Sequence, residues 1–156
     1  MKELKEYRRL LLNRFEAVAK EFEAACHTVQ DPFAAVDEGG WTVHQIAAHT
    51  RDVHVLVYGE RALRTVKEDN PEFHSFDGEA HARAHYSADE PLDEMLTGFL
   101  DSVTELINTL RELPAEAWSR ASRHDKLGGG LTPQAWLERG LAHIEEHLAT
   151  VKKAAT

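Results

Sequence analysis

Ten histidines among 156 residues are the first candidates for chemistry in this sequence. Imidazole is the commonest metal ligand in proteins, and it titrates near neutral pH. Two pairs lie four residues apart, His81 with His85 and His143 with His147. Residues at that spacing are neighbours on one face of a helix. Which histidines act together therefore depends on the elements that carry them.

Apolar residues recur at steps of three and four over four segments, which predicts four long amphipathic helices. We expect these helices at about residues 2–29, 42–66, 91–113 and 132–153. No segment predicts a pair of strands. The pattern indicates an all-α four-helix bundle, formed as a single domain over residues 1–156. A long crossover, about residues 67–90, joins the second helix to the third.

The second and fourth helices have clear start signals. Thr42 followed by Gln45 predicts a capping box, in which the two side chains satisfy backbone donors of the first turn. Thr132 followed by Pro133 is a favoured way to begin a helix, because proline at the first helical position loses no hydrogen bond.

One histidine of the second helix is predicted to point into the bundle. His49 shares its face with three apolar residues, Ile46, Val53 and Leu56. The core stripe of the first helix, by the same criterion, includes Tyr7. His44 and His54 lie about 140° from His49 on either side, so we expect them to face solvent or a neighbouring element.

On the fourth helix, His143 and His147 lie at the edge of the apolar stripe. Together with His49 they offer three imidazoles on two helices that can pack together. Three neutral imidazoles leave coordination positions open, as a catalytic metal site requires. The same residues also fit a hydrogen-bonded core histidine and an incidental surface pair. Asp52 and Glu146 are nearby carboxylates that could orient a ligand or accept a proton.

The segment that contains His81 and His85 lacks an apolar stripe. We therefore expect it to form a short helical turn or a loop at the surface. From that position, the two histidines could line the mouth of a site without being ligands.

Two strings resemble the DinB-like superfamily of metal-binding bundles. One is Trp41-Thr42-x2-Gln45-x3-His49-x2-Asp52, and the other is Trp136-Leu137-x5-His143-x3-His147. The resemblance extends over essentially the whole chain. It implies a DinB-type four-helix bundle that binds one divalent metal, most often zinc or nickel, through His49, His143 and His147.

Members of that superfamily with known activity include bacillithiol- or mycothiol-dependent S-transferases and maleylpyruvate isomerases. The resemblance thus implies a metal-dependent transferase or hydrolase acting on a small electrophile, with a low-molecular-weight thiol as a possible cosubstrate. The loops that differ among such proteins correspond here to residues 73–86 and 120–130. A non-enzymatic metal- or ligand-binding bundle is the alternative.

The composition of the chain indicates which classes of partner and which compartment to expect. With 18 Lys and Arg against 27 Asp and Glu, the net charge is −9, which disfavours nucleic acid. No apolar run approaches the ~20 residues of a membrane span, and the amino terminus lacks a signal-type stretch. The single cysteine, Cys26, fits a reducing compartment, so we expect a cytoplasmic protein. Apolar stripes left exposed on the first and third helices would favour a homodimer.

Overall fold

Four helical columns dominate the structure, a computed structural model that describes residues 1–37 and 39–155. In chain order the elements are α1 (Lys2–Thr28), α2 (Val43–Val53), a π-helical turn (His54–Tyr58), α3 (Gly59–Lys67), β1 (Glu72–Phe73), α4 (Gly78–His85), α5 (Leu92–Arg111), a 3-10 turn (Ala115–Ser119), β2 (Ser122–His124), β3 (Gly128–Leu131) and α6 (Pro133–Ala154).

The predicted four-helix bundle is confirmed. Its columns are α1, the continuous run from α2 through the π-helical turn to α3, α5, and α6. The buried core contains large side chains from every column, including Phe15, Ile46, Phe99 and Trp136. The connection between α3 and α5 carries β1 and α4.

Both predicted helix starts are present. The Thr42 hydroxyl accepts a hydrogen bond from the Gln45 backbone N–H, and the Gln45 side chain accepts one from the Thr42 N–H. At α6 the Thr132 hydroxyl accepts from the Ala135 N–H, and Pro133 is the first helical residue. These caps set where the two histidine-bearing helices begin.

The π-helical turn changes which residues face the core. A π turn contains an extra residue, so the apolar stripe moves by one position after it. Val57 is buried at 4% exposure and Leu56 is 42% exposed. The prediction that Leu56 points inward is therefore wrong. Tyr7 of α1 was also predicted for the core; it is 44% exposed, and its hydroxyl lies near Glu138 of α6.

A small three-stranded sheet corrects the prediction that the chain has no strand pair. β1 pairs with β2 in parallel, and β2 pairs with β3 in antiparallel orientation. Strands of two to four residues are too short for hydrophobic alternation to be read. β3 also begins with Gly128–Gly130, in which two glycines have positive φ values of 87° and 74°. The sheet covers one end of Trp136, whose indole N–H donates to the Ser122 hydroxyl.

Two further observations concern the single cysteine and the absence of an apolar run long enough to span a membrane. Cys26 is buried in the core, and burial raises the pKa of its thiol to about 12, so it behaves as a small apolar side chain. Across the residues that the structure describes, no helix is both long enough and apolar enough to cross a membrane.

Candidate metal centre

Three histidines from two columns meet beside the bundle core. His49 comes from α2, and His143 and His147 come from successive turns of α6. The Nε2 atom of His143 lies 3.2 Å from Nε2 of His49 and 3.1 Å from Nε2 of His147. One ring nitrogen from each side chain lies within 4.8 Å of the other two. We call these residues the three-histidine cluster; each is half-buried.

The contacts within the cluster suit a shared cation better than hydrogen bonding. A neutral imidazole nitrogen carries either one hydrogen or one lone pair in the ring plane. Nε2 of His143 can therefore satisfy one neighbouring nitrogen well, but not both. Nitrogens bound 2.0–2.1 Å from one zinc-like ion would lie about 3 to 3.4 Å apart, close to the separations found. The donor set thus fits a divalent metal.

Burial keeps the cluster neutral. Burial, helped by the neighbouring rings of His147 and His49, lowers the pKa of His143 to about 3. Burial likewise lowers the pKa of His147 to about 4, with a further contribution from His49. The pKa of His49 is lowered for the same reason, although the Asp52 carboxylate opposes the shift. At neutral pH the lone pairs are available to a cation.

Close packing determines the ring positions. The Trp41 ring meets the edge of His49 at 5.3 Å between centroids, and Tyr58 lies 5.8 Å from His143. Gly78, at the start of α4, approaches so closely that a Cβ there would lie 2.8 Å from Cε1 of His49. A side chain at position 78 would therefore displace the His49 ring.

Two cavities open on either side of His49. The first, of 320 Å³, lies between α2 and α4, and we call it the helix-side cavity. Its polar lining contains both signs of charge: Arg51 donates hydrogen bonds to Asp52 and to Glu90. The remaining lining residues are Trp41, Gln45, Ala48, His49, Ala82, Arg83, His85 and Tyr86.

The second cavity, of 380 Å³, lies between the π-helical turn and the small sheet, and we call it the sheet-side cavity. It reaches two members of the cluster, His49 and His143. The other lining residues are Val53, Val57, Tyr58, Arg61, Ser75, Phe76, Gly78, His124, Lys126 and Leu127. His147 lines neither cavity. The two loops expected to vary, residues 73–86 and 120–130, contribute to these walls.

The two predicted carboxylates have different positions. Asp52 lines the helix-side cavity, where its Oδ1 accepts from Arg51 and its Oδ2 lies 3.5 Å from Nε2 of His81. Glu146 is an exposed residue of α6, and its charge acts on His49 through space. The site therefore brings Asp52 closer to the cavities than Glu146.

A family model of the DinB superfamily matches residues 3–151. The chain belongs to the DinB superfamily. No curated protein matches the sequence.

Among solved structures, the chain is similar to YfiT from Bacillus subtilis, described as a probable metal-dependent hydrolase with an unusual four-helix bundle topology. The TM-score is 0.85 at 22% sequence identity, over 96% of this chain and 86% of that one. At this identity the likeness shows the shared fold.

Two of the histidines outside the three-histidine cluster are buried and hydrogen-bonded. His44 is buried; it donates from Nε2 to the Glu90 carbonyl and accepts at Nδ1 from the Tyr86 hydroxyl. His124 is buried in β2, where Nδ1 accepts from the backbone N–H groups of residues 126 and 127. Both face neighbouring elements and cannot offer a free nitrogen to a metal at these atoms.

His81 and His85 lie in α4, the short helix expected for that segment, with ring centroids 4.3 Å apart. His85 lines the helix-side cavity, and Nε2 of His81 lies 3.5 Å from Oδ2 of Asp52 in the wall of the same cavity, so we call both rim histidines. Their nitrogens are not part of the three-histidine cluster.

Sequence reasoning missed several residues that shape the site. Tyr58 belongs to the second column, but the π-helical turn alters its direction. Asp37 lies near enough to His147 to raise its pKa against the effect of burial. Gly78 and Arg61 approach the cavities through tertiary packing. A regular helical wheel gives no signal for any of them.

Proposed function

We propose that this DinB-superfamily protein is a divalent-metal-dependent enzyme that acts on a small electrophilic molecule. His49, His143 and His147 would hold the ion, with zinc or nickel as the metal. The reaction is a hydrolysis or a transfer to a low-molecular-weight thiol. The description of YfiT as a probable metal-dependent hydrolase supports the first of these.

The observation that carries this proposal is the convergence of three neutral imidazoles beside two open cavities. A closed structural site would surround the ion with four protein ligands. Within the described part of the chain, the group of His, Cys, Asp and Glu side chains close enough to share an ion has three members. Space therefore remains for water, a thiol or a substrate. When bound, the metal makes hydroxide or thiolate available at neutral pH.

Asp52 is the carboxylate that we assign to proton handling. Its Oδ2 faces His81 across 3.5 Å, and Arg51 holds the other oxygen, so the carboxylate is oriented in the cavity wall. A proton released near His49 could pass to this oxygen through water. Glu146, which is exposed, is the weaker candidate and is assigned a purely electrostatic influence on His49.

The thiol that would serve such a reaction is not Cys26, because that side chain is buried in the core. A thiol cosubstrate would have to enter from solution, and both cavities are open to it. A thiol-dependent reaction suits a reducing compartment, which supports a cytoplasmic location.

Metal analysis of protein purified without a histidine tag tests the first half of the proposal. We expect about one divalent ion per chain in the wild type and none retained in His143→Ala. His85→Ala is the matched control, since it removes an imidazole from the rim and leaves the cluster intact. Equal metal content in the wild type and both variants would refute ligation by the cluster.

Activity is tested with metal-loaded protein, water or low-molecular-weight thiols as acceptors, and a panel of small esters, amides, epoxides and alkyl halides. We expect turnover that disappears in His49→Ala while circular dichroism shows an intact fold. Metal retained without any turnover would instead support the non-enzymatic binding protein.

Association of two copies is a separate proposal. The large apolar residues of α5 pack against the other helices of the bundle and are buried or half-buried. On α1, by contrast, Tyr7 and Leu10 are exposed. A homodimer would therefore form through α1 rather than α5. Sedimentation at two concentrations, with Leu10→Lys as the variant, tests it.

A further inference from the structure

Arg61 is a buried cation on the wall of the sheet-side cavity. The residue is 8% exposed, and it comes from α3, one turn after the π-helical turn. Its guanidinium lies over the Trp136 ring, 4.8 Å from the centroid, and Nη2 donates to the carbonyl of His74 at 2.8 Å. These two contacts hold the group against the sheet.

The charge of Arg61 is not paired. Over residues 1–37 and 39–155, no carboxylate lies within ion-pair distance of its guanidinium. The carboxylates of Asp125 and Glu60 act on its charge only through space, and the Asp125 oxygens accept hydrogen bonds from the N–H and hydroxyl of Ser75. An arginine has five N–H donors, and one hydrogen bond to protein is made here. The remaining donors are open to whatever fills the cavity.

An open guanidinium in this setting attracts anions strongly. Burying a charge without a partner costs free energy, and an anion that binds it recovers part of that cost. Hydrogen bonds between charged groups are stronger than neutral ones, and a guanidinium can hold a carboxylate through two parallel bonds. Lys126 on the cavity rim adds a second cation.

The net charge of −9 opposes the approach of anions, but its effect is long-range. At physiological ionic strength, charges farther away than about 8 Å are largely screened. The contact with Arg61 inside the cavity is screened much less, because the group is buried. Local attraction therefore outweighs the global repulsion.

The other walls describe the rest of the ligand. Val53, Val57, Phe76 and Leu127 give the cavity an apolar lining, and His49 and His143 line it as well. We propose that the sheet-side cavity binds a small carboxylate with an apolar body, its carboxylate on Arg61 and its body extending towards His49 and His143. That this molecule is the substrate rests on the proposed function; the binding itself does not.

The probes are 3-phenylpropionate and its neutral analogue 3-phenylpropanamide, titrated into the full chain by calorimetry. The wild type should bind the carboxylate at least tenfold more tightly than the amide. In Arg61→Met this preference should fall below twofold, and Arg61→Lys should keep part of it. A tenfold preference that survives in Arg61→Met would overturn the proposal.

Arg64→Met is the matched control. Arg64 lies one turn further along α3 and also stacks on an aromatic ring, 4.9 Å from the Phe73 centroid. It differs in being paired with Glu68 and lying outside the cavity. Arg64→Met should keep the wild-type preference for the carboxylate. An equal loss of preference in Arg61→Met and Arg64→Met would mean that stacking of an arginine on an aromatic ring stabilises the fold and does not bind the ligand. That result would refute the proposal.

A measurement on the wild type covers the case in which Arg61→Met does not fold. The Nε–H resonance of Arg61 in a nitrogen-15 spectrum should shift with the carboxylate and not with the amide. An unshifted resonance at saturating carboxylate would contradict the assignment.

Repeating the titration in metal-free His147→Ala separates this inference from the proposed function, because His147 belongs to the three-histidine cluster but lines neither cavity. Preference for the carboxylate should persist there, because Arg61 is intact. If it disappears, the carboxylate binds at the histidine cluster and the inference is wrong. If it persists while the wild type itself holds no metal and shows no turnover, the proposed function alone is refuted.

Discussion

The two cavities beside His49 are similar in size but opposite in how their charges are arranged. In the helix-side cavity, Arg51 is paired with Asp52 and Glu90. In the sheet-side cavity, Arg61 has no acidic partner in the described structure, and its surroundings are aromatic. A paired arginine orients neighbouring carboxylates, whereas an unpaired one is available to a ligand. Charge pairing, not cavity volume, distinguishes what each side of the cluster can do.

This difference indicates that the two cavities have different roles beside the three-histidine cluster. The helix-side cavity holds the oriented carboxylate of Asp52 and the rim histidines His81 and His85, which are groups that can move protons. The sheet-side cavity holds the unpaired cation and the apolar walls, which are groups that bind and orient a ligand.

Removing the residue that the two cavities share gives the largest expected effect. In His49→Ala we expect metal affinity to fall by more than about 100-fold, because even residues that merely orient ligands contribute 10- to 100-fold. Isothermal titration with zinc measures it. Undiminished affinity would show that the two cavities do not share a metal site.

A second prediction separates the site from the core. His54 is 3% exposed, and neither ring nitrogen has a hydrogen-bond partner. The nearby Ser102 backbone favours the charged form of the ring, against the larger effect of burial. Burial lowers the pKa of His54 to about 4. The unfolded chain therefore takes up this proton below pH ~6.5, before the native state does, so stability falls as pH drops from ~6.5 to ~4.

Replacing His54 with leucine should remove that part of the pH dependence of stability. Between pH 6.5 and 4, the free energy of unfolding should fall by about 3 kcal/mol more in the wild type than in His54→Leu. Urea unfolding of metal-free wild type and His54→Leu at several pH values measures it. The three cluster histidines are present in both proteins and largely cancel in the comparison. Parallel pH profiles would contradict the prediction.

Gly78→Ala tests how closely α4 is packed on His49. Its Cβ would lie 2.8 Å from Cε1 of His49, so the His49 ring must leave its present position in the cluster. We expect metal affinity to fall about tenfold with little loss of fold stability. Gly98→Ala on α5 is the control, because its Cβ meets nothing within 4 Å; that change should leave metal binding unaltered and stabilise α5 by about 0.5–1 kcal/mol.

The smallest expected effect concerns the ion pair between Arg51 and Glu90 in the helix-side cavity. Glu90→Gln should leave Arg51 less neutralised and make the helix-side cavity resemble the sheet-side one. In an Arg61→Met background, binding of 3-phenylpropionate should improve about threefold, the scale of a partly exposed ion pair. Glu116→Gln makes the same change of net charge on the 3-10 turn and should have no effect. Equal gains in both would attribute the change to net charge instead.

The cluster was predictable because its signals are local. The four-residue spacing of His143 and His147 places them on one face of any regular helix, and the capping residues Thr42 and Thr132 define where the carrying helices begin. The inward direction of His49 follows from the face that it shares with the buried residues Ile46 and Val53. The sequence therefore predicted which three of ten histidines meet.

The prediction failed where regular periodicity failed. The π-helical turn exposed Leu56 and buried Val57, which no helical wheel anticipates. The three strands were too short for alternation to register. For His44 and His54 the wheel left open whether they face solvent or a neighbouring element, and the structure buries both against neighbouring elements.

The sequence by itself determined the four helices, their starts and the three histidines that could share a metal, since helical periodicity and capping act over a few residues. The tertiary structure decided what surrounds those histidines. The pairing of Arg51, the unpaired state of Arg61 and the approach of Gly78 to His49 all join segments that lie far apart in the chain. Such contacts depend on how the columns and the crossover pack, and that packing is set by the whole core.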